Sequence, residues 1–178
     1  LFRSIKTHVS PSIMPLWLDI HAQHCELHKV ADKQMNTDFL DAHYRHWEDA
    51  ELLFNAKHWA NADHLYGFSA ECGLKQLMKK FGMPIDTTTG TPSKGQDRVH
   101  VMENKKNSAW DRYESYRCGR GEGTHYALPS TNPFGDWDVF QRYAHRGHFD
   151  QVRAEQHRIG ANDVHALVHK AESEGVFI

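Results

Sequence analysis

With 178 residues and 39% apolar side chains, the chain is long enough to bury one substantial core and too apolar to remain disordered. A net charge of −2, with histidine counted as neutral, gives no whole-chain sign of a strongly basic nucleic-acid or membrane-surface binder. The three cysteines, Cys25, Cys72 and Cys118, are odd in number and form no Cys-x-x-Cys pair, which argues against a disulfide framework and for a reducing, cytoplasmic setting. Fifteen histidines are scattered through the chain, so its net charge should rise steeply on mild acidification.

Residues 1–34 have weak periodicity, and Pro11 and Pro15 break any early helix. The apolar run 13–20 contains Pro15 and Asp19 and is too short for a membrane span, so no membrane partner is expected. Met35 precedes a good helix start and reads as a natural initiation point. Residues 1–34 are then an extension of uncertain origin, or alternatively carry an extra helix over about 16–33. Residues 35–178 read as one helical-bundle domain.

The first strong element is a helix over about 38–57, capped by Asn36 or Thr37, with Tyr44, Trp47, Ala50, Leu53 and Phe54 at helical spacing. The short joint 58–61 offers Asn61 as the cap of a second helix over about 62–81. There Leu65, Phe68, Ala70, Cys72, Leu74, Leu77, Met78 and Phe81 cover more than one face, so this helix should be central. Gly82 suits the left-handed residue after a helix, and Pro84 follows it. A joint this short makes the two helices antiparallel neighbours. The Thr-, Gly- and Pro-rich stretch 84–97 reads as a loop, and 98–117 as a third helical region that Asn107-Ser108 can interrupt. A Gly-rich loop spans 118–135, 137–144 leans towards helix, and a last helix covers about 151–174 between Asp150 as cap and Gly175 as stop. The expected fold is all-α: an up-down bundle of four to five helices with one long irregular connection. Trp47, Phe54, Leu65, Phe68, Leu74, Leu77 and Phe81 are the expected core.

The hairpin HYRHWEDAELLFNAKHWANADHLYGFSAECGLKQLM, followed by a long insertion and a last helix, resembles the HEPN superfamily of small helical-bundle proteins. The likeness is close over about a quarter of the chain and architectural elsewhere. It implies a homodimer that binds or cleaves RNA or binds nucleotides, without a cofactor or metal. Ribonuclease members carry an Arg, four to six residues and a His. The Arg holds the scissile phosphate and the His moves a proton near the 2′-hydroxyl. Four pairs here match: Arg3/His8, Arg120/His125, Arg142/His148 and Arg158/His165. Arg158 and His165 are seven residues apart in the last helix and so share a face, with Asn162 between them and His169 one turn on. In this reading Arg158 binds phosphate, Asn162 orients the substrate and His165 transfers the proton. Arg142 and His148 are the second choice, and a solvated helix face is the plainer account of the row.

Other groupings carry less. Residues 94–120 hold seven Lys/Arg against four acids beside Trp110, Tyr113 and Tyr116, which suits nucleic-acid binding but suits a surface helix with core aromatics better. His21, Cys25 and His28 have metal-ligand spacing on a helix. The stretch 144–149 resembles a His-Arg-Gly segment of DinB-like metal-binding bundles, with His165, His169 and His64 as further candidates, although Gln141 stands where another His is wanted. Glu71 either pairs with Lys75 for a few tenths of a kcal/mol or is buried with a raised pKa. A non-catalytic interaction module is a third possibility.

Overall fold

In the computed structural model, which describes residues 35–102 and 107–177, the hairpin predicted from the sequence is formed by α1 (Phe39–Asn55) and α2 (Trp59–Lys80). Asp38, rather than Asn36 or Thr37, caps α1, its carboxylate accepting from the N–H groups of Leu40 and Asp41 at 3.1 Å. Nor does Asn61 cap α2: the helix begins two residues earlier, at Trp59, with no side-chain cap. It can begin there because α1 ends in a tight motif. His58 N–H bonds Leu53 O and Lys57 N–H bonds Phe54 O, both at 2.9 Å. That motif puts Lys57 at φ +63°, a left-handed conformation usually left to glycine. Gly82 and Gly175 occupy the same position after the second and last helices, as expected.

The third helical region is shorter than 98–117. α3 covers Ala109–Arg117, because Ser108 and Asp111 form a reciprocal cap: Asp111 N–H bonds the Ser108 hydroxyl at 3.1 Å and Ser108 N–H bonds the Asp111 carboxylate at 3.0 Å. Segment 137–144 is not an α-helix either. Asp138 accepts from Phe140 N–H at 2.7 Å and tightens Val139–Tyr143 into a 3₁₀ turn. The last helix, α4 (Gln151–Ser173), is capped by Asp150 as anticipated. Among the described residues there is no strand, only an isolated bridge between Ile85 and Pro92, and no helix long and apolar enough to cross a membrane. The segments bearing Arg3/His8, His21, Cys25 and His28 lie outside the described residues.

Side-chain partners fix the helix directions. His43 meets Ser69 and Glu51 meets Tyr66, so α1 and α2 are antiparallel. Asp63 meets His157, and Gly73 faces Val164, so α2 and α4 run parallel. The chain must therefore travel back along α2, a rise of about 33 Å, before α4 begins. That return is the long irregular connection. It contributes Val99, Val101, Trp110, Tyr113, Tyr126, Phe134 and Trp137 to the core. Fully buried Asp97 accepts from Arg112 at 2.9 Å and Tyr116 at 2.7 Å and ties its first half to α3. The aromatics of 94–120 are thus packing residues: Trp110 and Tyr113 are buried and Tyr116 is half-buried.

The core differs in part from the expected set. Phe54, Leu74, Leu77 and Phe81 are buried, whereas Trp47, Leu65 and Phe68 pack at its edge. α2 is indeed central, but polar residues share its buried length, among them Asp63, Ser69, Glu71, Lys75 and Gln76. Glu71 is buried without a raised pKa. Burial pushes its carboxyl up, but the His100 hydrogen bond and the Lys75 ammonium outweigh it and hold the group below the ordinary range. Burial also makes the Lys75 pair matter more than an exposed one, since stripping either partner leaves an uncompensated charge. Cys72, at the core edge, has its thiol pushed up to about 12 by burial.

At Gly73 three helices converge. A Cβ there would stand 2.6 Å from Val164 Cγ1 on α4 and 2.8 Å from His43 Nδ1 on α1. Gly73→Ala is expected to lower stability by about 1–3 kcal/mol, the overpacking cost exceeding the helix-propensity gain of about 1 kcal/mol. Urea denaturation followed by circular dichroism measures it, and a more stable variant would show that the contact relaxes freely.

Candidate functional site

Two groups of functional side chains emerge, one along the α1–α4 seam and one at the end of the bundle where α1 turns into α2. On the seam the expected row of Arg158, Asn162 and His165 does share one face of α4, but each member is engaged with α1. Glu51 receives both Nε and Nη2 of Arg158 at 2.7 Å, and Tyr66 donates to the same carboxylate at 2.8 Å. The Arg158 bond, and secondarily the Tyr66 hydroxyl, hold the Glu51 carboxyl low against the opposing effect of burial. Asn162 Oδ1 accepts from Trp47 Nε1 at 2.8 Å, and His165 stacks on the Trp47 ring at 4.2 Å between centroids. Arg158 is therefore occupied by a bidentate ion pair rather than presented to a phosphate.

His165 has a partner that its own helix does not disclose. His43, fully buried on α1, reaches it through Nε2···Nδ1 at 3.0 Å. The His43 Nδ1 atom lies 2.8 Å from the Ser69 carbonyl oxygen, which only accepts, so Nδ1 carries the hydrogen. In a neutral His43 ring Nε2 is then the acceptor, and His165 must donate from Nδ1, leaving its Nε2 as the basic atom. Burial, reinforced by His169 alongside, lowers the His165 pKa, so the ring is neutral at physiological pH. The neighbouring Tyr44 hydroxyl donates to the Glu172 carboxylate, and burial first and that contact second push its pKa up. The arrangement can hold a proton-accepting nitrogen in a fixed orientation beside an aromatic wall.

The second group forms a cleft of about 600 Å³. One wall is the joint Lys57–Asn61 and the other is Ala144, His145, Arg146 and Phe149. Its lining contains Lys57 and Arg146, two histidines, Trp59 and Phe149, and no acid. Gly147 N–H donates to His145 Nδ1 at 3.1 Å, so a neutral His145 carries its hydrogen on Nε2, where it can be donated to a ligand. The strap leading into the cleft, 139–148, exposes Phe140 and Tyr143, with the Arg142 guanidinium over both rings. Arg142 and His148, the second sequence choice, both lie exposed on this strap.

A buried network pins the strap to the bundle. Fully buried Asp63 accepts from His157 Nδ1 at 2.7 Å and from Gln141 Nε2 at 2.6 Å, and His157 Nε2 reaches Asp136 at 3.0 Å. Arg153 pairs with Asp136 as well. Trp137, just before the strap, packs so tightly on α2 that a Cβ at Gly67 would stand 2.1 Å from its Nε1. His64 is held by Trp137 and Phe68 rather than beside His165 and His169, and no group of three His, Cys, Asp or Glu placed to hold a metal occurs among the described residues. Arg120 donates Nε to Tyr116 O, and the exposed His125 follows it in the Gly121–Tyr126 turn.

Sequence reasoning missed His43, Asp63, His157 and the cleft pair Lys57 and Arg146. His43 and His157 could have been noticed as titratable residues set among apolar helix positions. Nothing local joins residues 57–61 to 144–149. The chain matches no family model, no curated protein and no solved structure.

Burial is the main reason that His43 is held down to about 4, the like-charged neighbours His165, His169 and His46 adding to it and the Ser69 carbonyl opposing. The unfolded chain takes up this proton near 6.5, so the stability that the neutral ring contributes is complete above that pH and is lost as pH falls towards 4, on the order of 3 kcal/mol in all. His46, His64 and His165 are shifted the same way. Urea midpoints between pH 7 and 5 should drop steeply for the wild type and less steeply for His43→Gln; equal slopes would place the proton uptake elsewhere.

Proposed function

We propose that this chain binds single-stranded RNA in the cleft between the α1–α2 joint and the 139–148 strap. The supporting observation is the lining itself: Lys57 and Arg146 with His58 and His145 for phosphates, the half-buried Trp59 for a base, the buried Phe149 as an apolar floor, and no acid. Phe140 and Tyr143 add exposed aromatic rings that no core requires, next to the Arg142 cation. The whole-chain charge of −2 conceals this local concentration. The reading agrees with the HEPN resemblance of the hairpin.

Lys57 strengthens the case because it is conformationally costly where it stands. A non-glycine residue at φ +63° costs about 1–2 kcal/mol, and a lysine kept there serves its side chain rather than its backbone. Lys57→Gly should therefore weaken RNA binding while leaving stability equal or slightly higher. Fluorescence anisotropy with a labelled oligoribonucleotide reads the binding. Lys57→Gly and Arg146→Ala should each reduce the slope of log K against log salt by about 0.7. Wild-type affinity insensitive to salt, or unchanged in both variants, would overturn the proposal.

If the bound strand is also cleaved, Arg142 and His148 are the better-placed pair for phosphate and proton, because both are exposed on the strap whereas Arg158 is bound to Glu51. Cleavage lost in His148→Ala and retained in His165→Ala is the expected pattern; the reverse would return the chemistry to the α4 row.

A homodimer belongs to the same reading. Pro133, Val152 and Ile159 line an apolar groove of about 480 Å³ on α4, with Val152 77% and Ile159 55% exposed. Sedimentation should show a dimer for the wild type and a monomer for Ile159→Asp; a monomeric wild type would remove the dimer.

A further inference from the structure

We propose that the pocket between α2, the start of α1 and the 84–98 loop binds a small phosphorylated compound, held by Lys75 and Arg98. This pocket, of about 250 Å³, is lined by Thr37, Phe39, Lys75, Thr91, Pro92 and Arg98. It shares no residue with the RNA cleft and rests on no part of that reading.

Lys75 carries the argument. The residue is only 6% exposed, yet among the described residues its ammonium makes a single hydrogen bond, to Glu71 Oε1 at 2.6 Å, with the Phe39 ring 5.9 Å away. An ammonium has three N–H donors, so two remain for the pocket it lines. A buried cation with unused donors is costly unless an acceptor completes it. Glu71 cannot do so alone, because its second oxygen is taken by His100 Nδ1 at 2.9 Å.

Arg98, on the 84–98 loop, supplies the second cation of the lining. Its Nε is fixed on the Pro92 carbonyl at 2.7 Å, which orients the guanidinium and leaves the Nη groups as a fork suited to oxyanions. Of the two acids on this loop, buried Asp97 is engaged by Arg112 and Tyr116, and Asp86 by the N–H groups of Thr89 and Thr88, which hold its carboxyl low, with Arg98 a minor contributor. No carboxylate lines the pocket. The Thr91 hydroxyl, shared with Thr89 at 2.8 Å, offers a further polar contact. Phe39 and Pro92 form apolar walls. Two cations and two threonine hydroxyls brought together from different chain segments suit a multi-oxygen phosphate, and the volume admits a short organic tail but not a polymer.

Isothermal titration calorimetry of the full chain with inorganic phosphate, at constant ionic strength, tests this. Saturable binding at one site is expected, weakened about tenfold or more in Arg98→Gln, partly restored in Arg98→Lys and unchanged in Arg146→Ala. Arg98 is exposed, so its variants should fold, whereas Lys75→Met would strand Glu71 in the interior. Absence of saturation, equal affinity in Arg98→Gln, or loss in Arg146→Ala instead would overturn the proposal. So would acetate binding as tightly as phosphate. RNA binding through the cleft should persist in Arg98→Gln whichever way the phosphate result falls.

Discussion

The architecture depends on how closely α2 can be approached from both sides. Ala62, Ser69, Ala70 and Gly73 leave little side-chain volume along its buried length, and at Gly73 the side chains of His43 and Val164 come within reach of where a Cβ would be. That proximity makes α1 and α4 neighbours as well as partners of α2. It closes the seam on which His43 meets His165 and Glu51 meets Arg158. Larger residues on α2 would spread the helices and open these polar contacts before any single hydrogen bond was changed.

The parallel run of α2 and α4 has a second consequence. A short loop cannot join two parallel helices, so the connection must cover the length of the bundle, and this chain spends it on an irregular layer with its own core residues. The layer's last part, from Trp137 to Phe149, carries the cationic and aromatic strap. The fixing is mostly polar: Asp63, buried on α2, is shared by Gln141 from the strap and His157 from α4. A buried carboxylate is tolerable only while its partners are present, so this one network links the fold of the bundle to the position of the cleft wall.

Charge placement divides the molecule by function. Along the seam Arg158 is paired with Glu51, and burial holds His43 and His165 below the ordinary imidazole range. In the cleft, positive groups line space without an opposing acid, and in the Lys75–Arg98 pocket the one acid in contact, Glu71, is shared between Lys75 and His100. Cations used for packing are satisfied by the protein; those facing empty volume are the candidates for ligand chemistry.

By itself the sequence determined the all-α class, the helical hairpin, the stops at Gly82 and Gly175 and the cap at Asp150, because each follows from spacing or from a side chain acting on its own backbone neighbours. It also placed Arg158, Asn162 and His165 on one helix face. Only the tertiary structure decided that Arg158 is claimed by Glu51, that His43 sets the tautomer of His165, and that residues 57–61 face 144–149 across a cleft. Helical periodicity reports which residues share a face, through interactions a few residues long. Which helix that face meets, and which charges it meets there, depends on contacts separated by up to a hundred residues or more, and no local pattern encodes them.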